Sequence, residues 1–341
     1  MRATLKFLAI GVFGLVAGML LLELGIRAYM ALQPLKKEWS DRPNFYFAHE
    51  LAPAAQDLPH RKVKPADTYR IAVVGDSFTF APYMQFTDAF PHKLEAMLNL
   101  NDTALKGEVI NYGVPAYSLS HEVAVVRRAV EEQADLIILQ VTLNDPEMKP
   151  YRPTGIQTNL ADPFGVFRPQ QGPEWLFKYW KTAMFVAERL HNSRTHTLYQ
   201  EYFKELFNNP RSWKKYLGAL GKIEKICKRA EVPVVAVVFP LFGLPTDQNY
   251  PFWDIHTKVA EALTDHGIPY RDLLDIYSGI PLERLQVMPG VDRHPNEIAH
   301  RMAAEAIYVW LAQNKFLPEE LLIKVRYKTR YGIAHQAPYK E

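Results

Sequence analysis

The chain has 341 residues, 48% of them hydrophobic, which is enough for one large α/β domain or two small ones around a sizeable core. A net charge of +3 over that length is close to neutral and argues against a nucleic-acid partner, which needs a clustered basic face. The lone cysteine, Cys227, excludes an internal disulfide and lies on Lys222–Lys228, which reads as an amphipathic helix with the thiol turned to the core.

Arg2 and Lys6 precede an apolar run from Phe7 to Leu22, and the apolar character continues to Leu32, broken by Glu23 and Arg27. Those two stand four apart and can pair on one helix face, or snorkel to a membrane interface. About 20 apolar residues span a bilayer, so residues 1–32 read as an N-terminal membrane anchor helix. A cleaved signal peptide is the rival, but Tyr29 and Met30 crowd the place where small residues should stand. Positive charge lies on both sides of the span (Arg2 and Lys6 before; Arg27, Lys36, Lys37 and Arg42 after), so it does not place the main domain outside. Residues 33–68 read as a linker punctuated by Pro34, Pro43, Pro53, Pro59 and Pro65.

From residue 69 strands and helices alternate. Tyr69 to Gly75 is a β-branched apolar run, the pattern of a buried parallel strand, followed at once by Asp76 and Ser77. Ligands in open α/β sheets bind beyond the carboxyl ends of such strands. Asp76 or Ser77 can equally cap the next helix. A helix is expected over Asp88–Leu100, a strand over Glu108–Gly113, and a helix capped by Ser120. A third strand covers Asp135–Val141 and ends at Thr142-Leu143-Asn144-Asp145. Residues 146–210 break the rhythm, with helical spacing over 174–192 and 197–208; they are either helices packed on one another or a lid. Alternation returns with a helix over Ser212–Ala230, a buried strand over Val232–Phe239, a helix over Phe252–His266 and a short strand over Ile268–Asp272. A loop carries Asp292-Arg293-His294-Pro295-Asn296, and Asn296 can cap a last helix through Trp310. About five strands joined by crossover helices predict one doubly wound, flavodoxin-like parallel sheet with helices on both faces. The domain is expected over 69–315, followed by a basic C-terminal tail over 316–341, whose basic and aromatic stretch from Lys324 reads as a solvated end.

Four separated pieces, Asp76-Ser77, Gly113, Asn144 and Asp292-x-His294, fall at strand ends or in loops on one rim of that sheet. Together they contain the parts acyl transfer requires. Ser77 needs a base, and His294 titrates near neutral pH. Asp292 can orient the imidazole. The backbone N–H groups of Ser77 and Gly113 and the side-chain amide of Asn144 are candidate oxyanion donors. The other histidines at 92, 121, 256, 266 and 300 fall on predicted helices and read as packing or surface residues.

On these residues the chain resembles the SGNH hydrolases, the GDSL-like lipase/esterase family. Gly75-Asp76-Ser77-Phe78-Thr79 resembles its GDS block, Asn111-Tyr112-Gly113 its glycine block, Thr142-Leu143-Asn144-Asp145 its GxND block, and Asp292-Arg293-His294-Pro295-Asn296 its Asp/His block. The likeness covers roughly 69–314, leaving the aromatic insertion outside. It implies a serine esterase acting on acyl or acetyl esters of a small molecule or glycan through an acyl-Ser77 intermediate. Ser77 is then the nucleophile, His294 the base and Asp292 its partner, with Ser77, Gly113 and Asn144 as the oxyanion hole. No metal or organic cofactor is implied. It also implies a single-pass membrane protein with its domain on the extracytoplasmic, periplasmic side. Two alternatives stand beside it: an O-acyltransferase that moves acetyl groups onto cell-envelope glycans with a membrane acyl-transfer partner, and a non-catalytic scaffold. Two positions depart from the pattern. Thr142 replaces the usual glycine, and Asp-x-His replaces Asp-x-x-His. Residues two apart in an extended strand point the same way, so Asp292 can still reach His294. A Ser77–His294 dyad helped by a backbone carbonyl is the other geometry.

Overall fold

A computed structural model of the chain describes residues 2–32, 60–147, 174–289, 292–323, 326–329 and 332–335. The chain divides into two compact units, Met1–Pro43 with Tyr151–Tyr202, and Asn44–Pro150 with Phe203–Glu341. In chain order the elements are α1 (Arg2–Leu32), β1 (Thr68–Gly75), α2 (Ser77–Phe80), α3 (Phe90–Leu98), β2 (Lys106–Gly113), α4 (Leu119–Glu131) and β3 (Leu136–Val141). They continue with α5 (Glu174–Tyr179), α6 (Lys181–Asn208), α7 (Pro210–Ala230), β4 (Val234–Val238), α8 (Trp253–Asp265), β5 (Tyr270–Asp272) and α9 (Leu274–Tyr277). Last come β6 (Gln286–Met288), β7 (Asp292–Pro295), α10 (Glu297–Gln313), β8 (Arg326–Thr329) and β9 (Gly332–His335).

The second unit is built on a five-stranded sheet in the order β2-β1-β3-β4-β5, every neighbouring pair parallel. This is the doubly wound arrangement the alternation predicts. β1 lies inside, between β2 and β3, and helices packed on the sheet cover both its faces. That is why Ile71, Ala72, Val73 and Val74 are all apolar and fully buried. The order reverses at β1, so the rim beyond its carboxyl end is a switch point where a crevice can open. Asp76 and Ser77 stand there.

Five expectations are corrected. The helix after β2 is capped by Ser118 rather than Ser120, with His121 closing a reciprocal capping box. The two helices expected over 174–192 and 197–208 are a short α5 and one continuous α6. His266 lies just past α8 rather than within it, bonded to Glu224 at 3.0 Å. The Asp292 block is a strand, β7, paired antiparallel with β6, because Asn296 ties the hairpin through bonds to the carbonyls of Arg284 (2.9 Å) and Gln286 (3.2 Å). The ends of the domain also reach further than predicted. Residues 60–67, assigned to the linker, are bound to it: His60 pairs with Glu132 at 2.8 Å and Lys64 pairs with Asp135. Residues 316–322, assigned to the tail, are likewise bound to the domain. Leu317 and Leu321 are buried, and the carbonyls of Phe316 and Leu322 accept from Tyr69 (2.8 Å) and Asn101 (2.6 Å). Residues 33–59 of the linker lie outside the described residues.

In the first unit, Lys6–Tyr29 of α1 is long and apolar enough to cross a membrane. Glu23 and Arg27 do pair, at 2.8 Å.

Candidate active site

The site grows from the end of β1. Gly75 is held to glycine by crowding, because a Cβ there would lie 2.3 Å from Gln140 Oε1 and 2.4 Å from Thr79 Oγ1. That closeness lets Gln140 accept from the Asp76 N–H (3.1 Å) and the Thr79 hydroxyl (2.8 Å), fixing the turn from both sides. Asp76 then caps α2, accepting from the Phe78 N–H at 2.8 Å. Asp76 is thus the cap, and its neighbour Ser77 is left with its hydroxyl at the rim.

The hydroxyl of Ser77 meets His294 Nε2 at 2.9 Å, across 217 positions of sequence. His294 Nδ1 meets Asp292 Oδ1 at 2.7 Å, and the same oxygen accepts the His294 backbone N–H at 2.9 Å. An ionised carboxylate only accepts, so Nδ1 carries the proton and Nε2 offers its lone pair to Ser77. The two-residue spacing succeeds because β7 is extended: both side chains leave the same face of the strand. Phe78 packs edge-on against the imidazole at 5.7 Å, and itself lies against Phe239 and Phe242. The ring is therefore held by packing as well as by hydrogen bonds.

Charge follows from this geometry. Burial alone would push the Asp292 carboxyl up, but the neighbouring His294 charge and two hydrogen bonds from that residue outweigh it and hold the group below its ordinary value. Burial likewise lowers His294, yet Asp292 and, further off, Asp76 raise it above 6.5. As a base His294 must be neutral, so it loses function as pH falls through its raised pKa. The acid limb of kcat/KM is expected above pH 6.5, and Asp292→Asn should move it down. A pH–rate profile of the two proteins measures both.

Of the three predicted oxyanion donors, two are uncommitted among the described residues. Neither the Ser77 N–H nor the Asn144 amide nitrogen donates a hydrogen bond among the described residues. Thr142 Oγ1 touches the side-chain amide of Asn144. The same hydroxyl is 2.8 Å from Asp76 Oδ2, so the threonine that replaces the usual glycine links the first block to the third. Gly113 is different. Its N–H is committed to Asn111 Oδ1 at 2.9 Å, and a Cβ on it would lie 2.3 Å from the Phe80 nitrogen. Glycine is needed there so that α2 can press on β2, not so that substrate can approach. Ala116, in the turn leaving β2, holds φ at 63° and its N–H donates to nothing among the described residues.

Sequence reasoning passed over a layer behind the site. Glu122 and Asp145 are buried, and among the described residues neither oxygen of Glu122, nor Oδ1 of Asp145, has a hydrogen-bond partner. Burial pushes both carboxyls up, and their mutual repulsion and that of Asp76 add to it. The signal for Glu122 was present: 119, 122, 126 and 129 form one helical stripe whose other members are apolar. Two of the other histidines have structural partners among the described residues. His256 pairs with Asp272 at 2.7 Å, and buried His300 accepts from the Phe90 N–H at 3.1 Å.

No protein-family model and no curated protein matches the chain. Several solved structures do. A catalytic mutant of an acetylxylan esterase from Geobacillus stearothermophilus matches over 74% of this chain and 96% of its own, at 11% identity and a TM-score of 0.43. A lipase/acylhydrolase from Enterococcus faecalis matches over 72% and 96%, at 11% identity and a TM-score of 0.39. A protein from Lactobacillus plantarum matches over 72% and 97%, at 17% identity and a TM-score of 0.41. In sheet order and in the sequence of its four blocks, the chain resembles an SGNH hydrolase. The reading of the site rests on the distances within this chain.

Proposed function

We propose that the protein is a serine esterase that hydrolyses acyl or acetyl esters through an acyl-Ser77 intermediate. The observation that carries this reading is the unbroken chain from Ser77 Oγ to His294 Nε2 (2.9 Å) and from Nδ1 to Asp292 Oδ1 (2.7 Å). Ser77 Oγ attacks the ester carbonyl while His294 takes its proton. Negative charge builds on the carbonyl oxygen, where the Ser77 N–H and the Asn144 amide meet it. His294, now protonated and steadied by Asp292, returns the proton to the leaving alcohol. A water molecule, deprotonated by the same imidazole, then attacks the acyl-serine, and the released acid restores the free hydroxyl.

A fluorophosphonate probe tests the nucleophile directly. It is expected to add once, at Ser77, as seen by peptide mass spectrometry; an unlabelled protein would leave a scaffold. Acyl transfer to a glycan would share the acyl-enzyme and differ only in the acceptor. Mass spectrometry of products formed from an acetyl ester with a glycan present separates the two, since hydrolysis yields free acetate and transfer yields an acetylated sugar. Asn144→Ala is expected to lower kcat by about 10²- to 10³-fold with little change in KM, because the amide acts on charge that exists only in the transition state. Steady-state kinetics on p-nitrophenyl acetate would show it.

A further inference from the structure

Glu23 lies inside the apolar stretch of α1, about 26 Å along the helix from Lys6, at 1.5 Å per residue. A bilayer's hydrocarbon is about 30 Å thick, so this carboxylate stands within a turn of its edge. A free carboxylate is costly there, and an intramembrane acid normally has a named partner. Here the partner is the start of α6. Glu23 Oε1 accepts the Lys181 N–H at 2.8 Å, and Oε2 accepts both the Thr182 N–H and the Thr182 hydroxyl at 2.8 Å. Arg27 bonds to the same carboxylate and reaches on to the Tyr179 carbonyl, the end of α5, at 2.9 Å. Further along, Tyr29 meets Phe185 edge-on at 6.0 Å. Thus the corner between α5 and α6 is bolted to α1 at the depth where hydrocarbon gives way to headgroups.

What this corner exposes fits that depth. Trp175 is 66% and Tyr179 70% exposed, the two residue types that gather at membrane interfaces. Lys178 lies over the Tyr179 ring at 5.5 Å and Arg189 over Phe185 at 5.0 Å, which sets cations beside the aromatics. We propose that the α5–α6 corner is a second membrane-contacting element, which seats Trp175 and Tyr179 in the headgroup layer of a phospholipid bilayer and offers Lys178 and Arg189 to lipid phosphates. The occupant is the bilayer because the corner is continuous with α1, and the proposal rests on α1 being the membrane span.

The test uses the full chain, with Cys227→Ala, in nanodiscs of phosphatidylcholine and phosphatidylglycerol. Nitroxide labels are attached through Trp175→Cys, Tyr179→Cys, Leu15→Cys at mid-span and, as a control on the second unit, Trp253→Cys. Power saturation compares collision with oxygen, which concentrates in lipid, and with a water-soluble nickel chelate. The proposal expects oxygen to dominate at 15, 175 and 179 and the chelate to dominate at 253. Lipid at 15 with water at 175 and 179 overturns the proposal alone. Water at 15 overturns the membrane span and the proposal with it. Dipolar broadening between labels at 175 would mean that a second copy of the chain covers this face, and would also overturn it.

Discussion

Replacing Ser77 by Ala is expected to remove ester hydrolysis almost entirely, by about 10⁶-fold in kcat, while Asp292→Asn should cost about 10²- to 10⁴-fold. The ratio is informative. Asp292 Oδ1 holds both the ring and the backbone N–H of His294, so the carboxylate fixes the tautomer and the ring orientation at once. Asparagine keeps the shape and loses the charge. Its amide can present a donor where Nδ1–H also donates, and the ring must then turn or change tautomer, which takes the Nε2 lone pair from Ser77. A Ser77–His294 dyad would instead predict a loss under about tenfold for Asp292→Asn, because a backbone carbonyl would take over. Hydrolysis of p-nitrophenyl acetate by Ser77→Ala, Asp292→Asn and the double variant decides between them. In a triad the double variant falls no further than Ser77→Ala, because the carboxylate acts only through the nucleophile's base.

How much of this was legible beforehand depended on how local each signal was. The strands of the main sheet were readable because a doubly covered strand is a nearly continuous apolar run, as Ile71–Val74 and Leu136–Leu139 are. The meeting of Ser77 with His294 was readable from the residue types alone, a serine just past a buried strand and an Asp-x-His block before a helix, although His294 stands on β7 of a separate hairpin. The hairpin of β6 and β7 was not, because Asn296 reads as a helix cap until its bonds to the carbonyls of Arg284 and Gln286 are known. Gly113 reads as an oxyanion donor from its place at the end of β2, but Asn111 takes its N–H and the backbone of α2 fills the space beside it. Glu23 was readable as a partner of Arg27, four residues away. Its bonds to Lys181 and Thr182 cross 158 and 159 positions and carry no periodic trace. Thr142 looked like a departure from a pattern, whereas its hydroxyl joins Asp76 to Asn144.

Arg70 marks the limit of such reading and carries the largest expected effect on stability. It sits second from the start of the buried run, where a cation looks like the strand's exposed end, yet it is 0% exposed. Its guanidinium is satisfied on every side: Nε donates to Glu108 at 2.7 Å, one terminal nitrogen to the carbonyls of Lys62 (3.1 Å) and Glu132, the other to that of Arg61 (2.7 Å). Arg70 therefore binds together the chain entering β1, the end of α4 and strand β2. Arg70→Ala leaves a carboxylate and three carbonyls without their donor, and breaking such a buried pair costs about 3–5 kcal/mol. Arg70→Lys should recover little, since an ammonium cannot present the planar fork that reaches partners on three sides. Adding Glu108→Gln to Arg70→Ala removes the stranded charge and should return part of the loss. Guanidinium unfolding of the full chain in detergent, followed by near-ultraviolet circular dichroism, reads the midpoint for each variant. A shift no larger than that of a surface substitution, about 0.5 kcal/mol, would mean that the three carbonyls find water and that the arginine is dispensable.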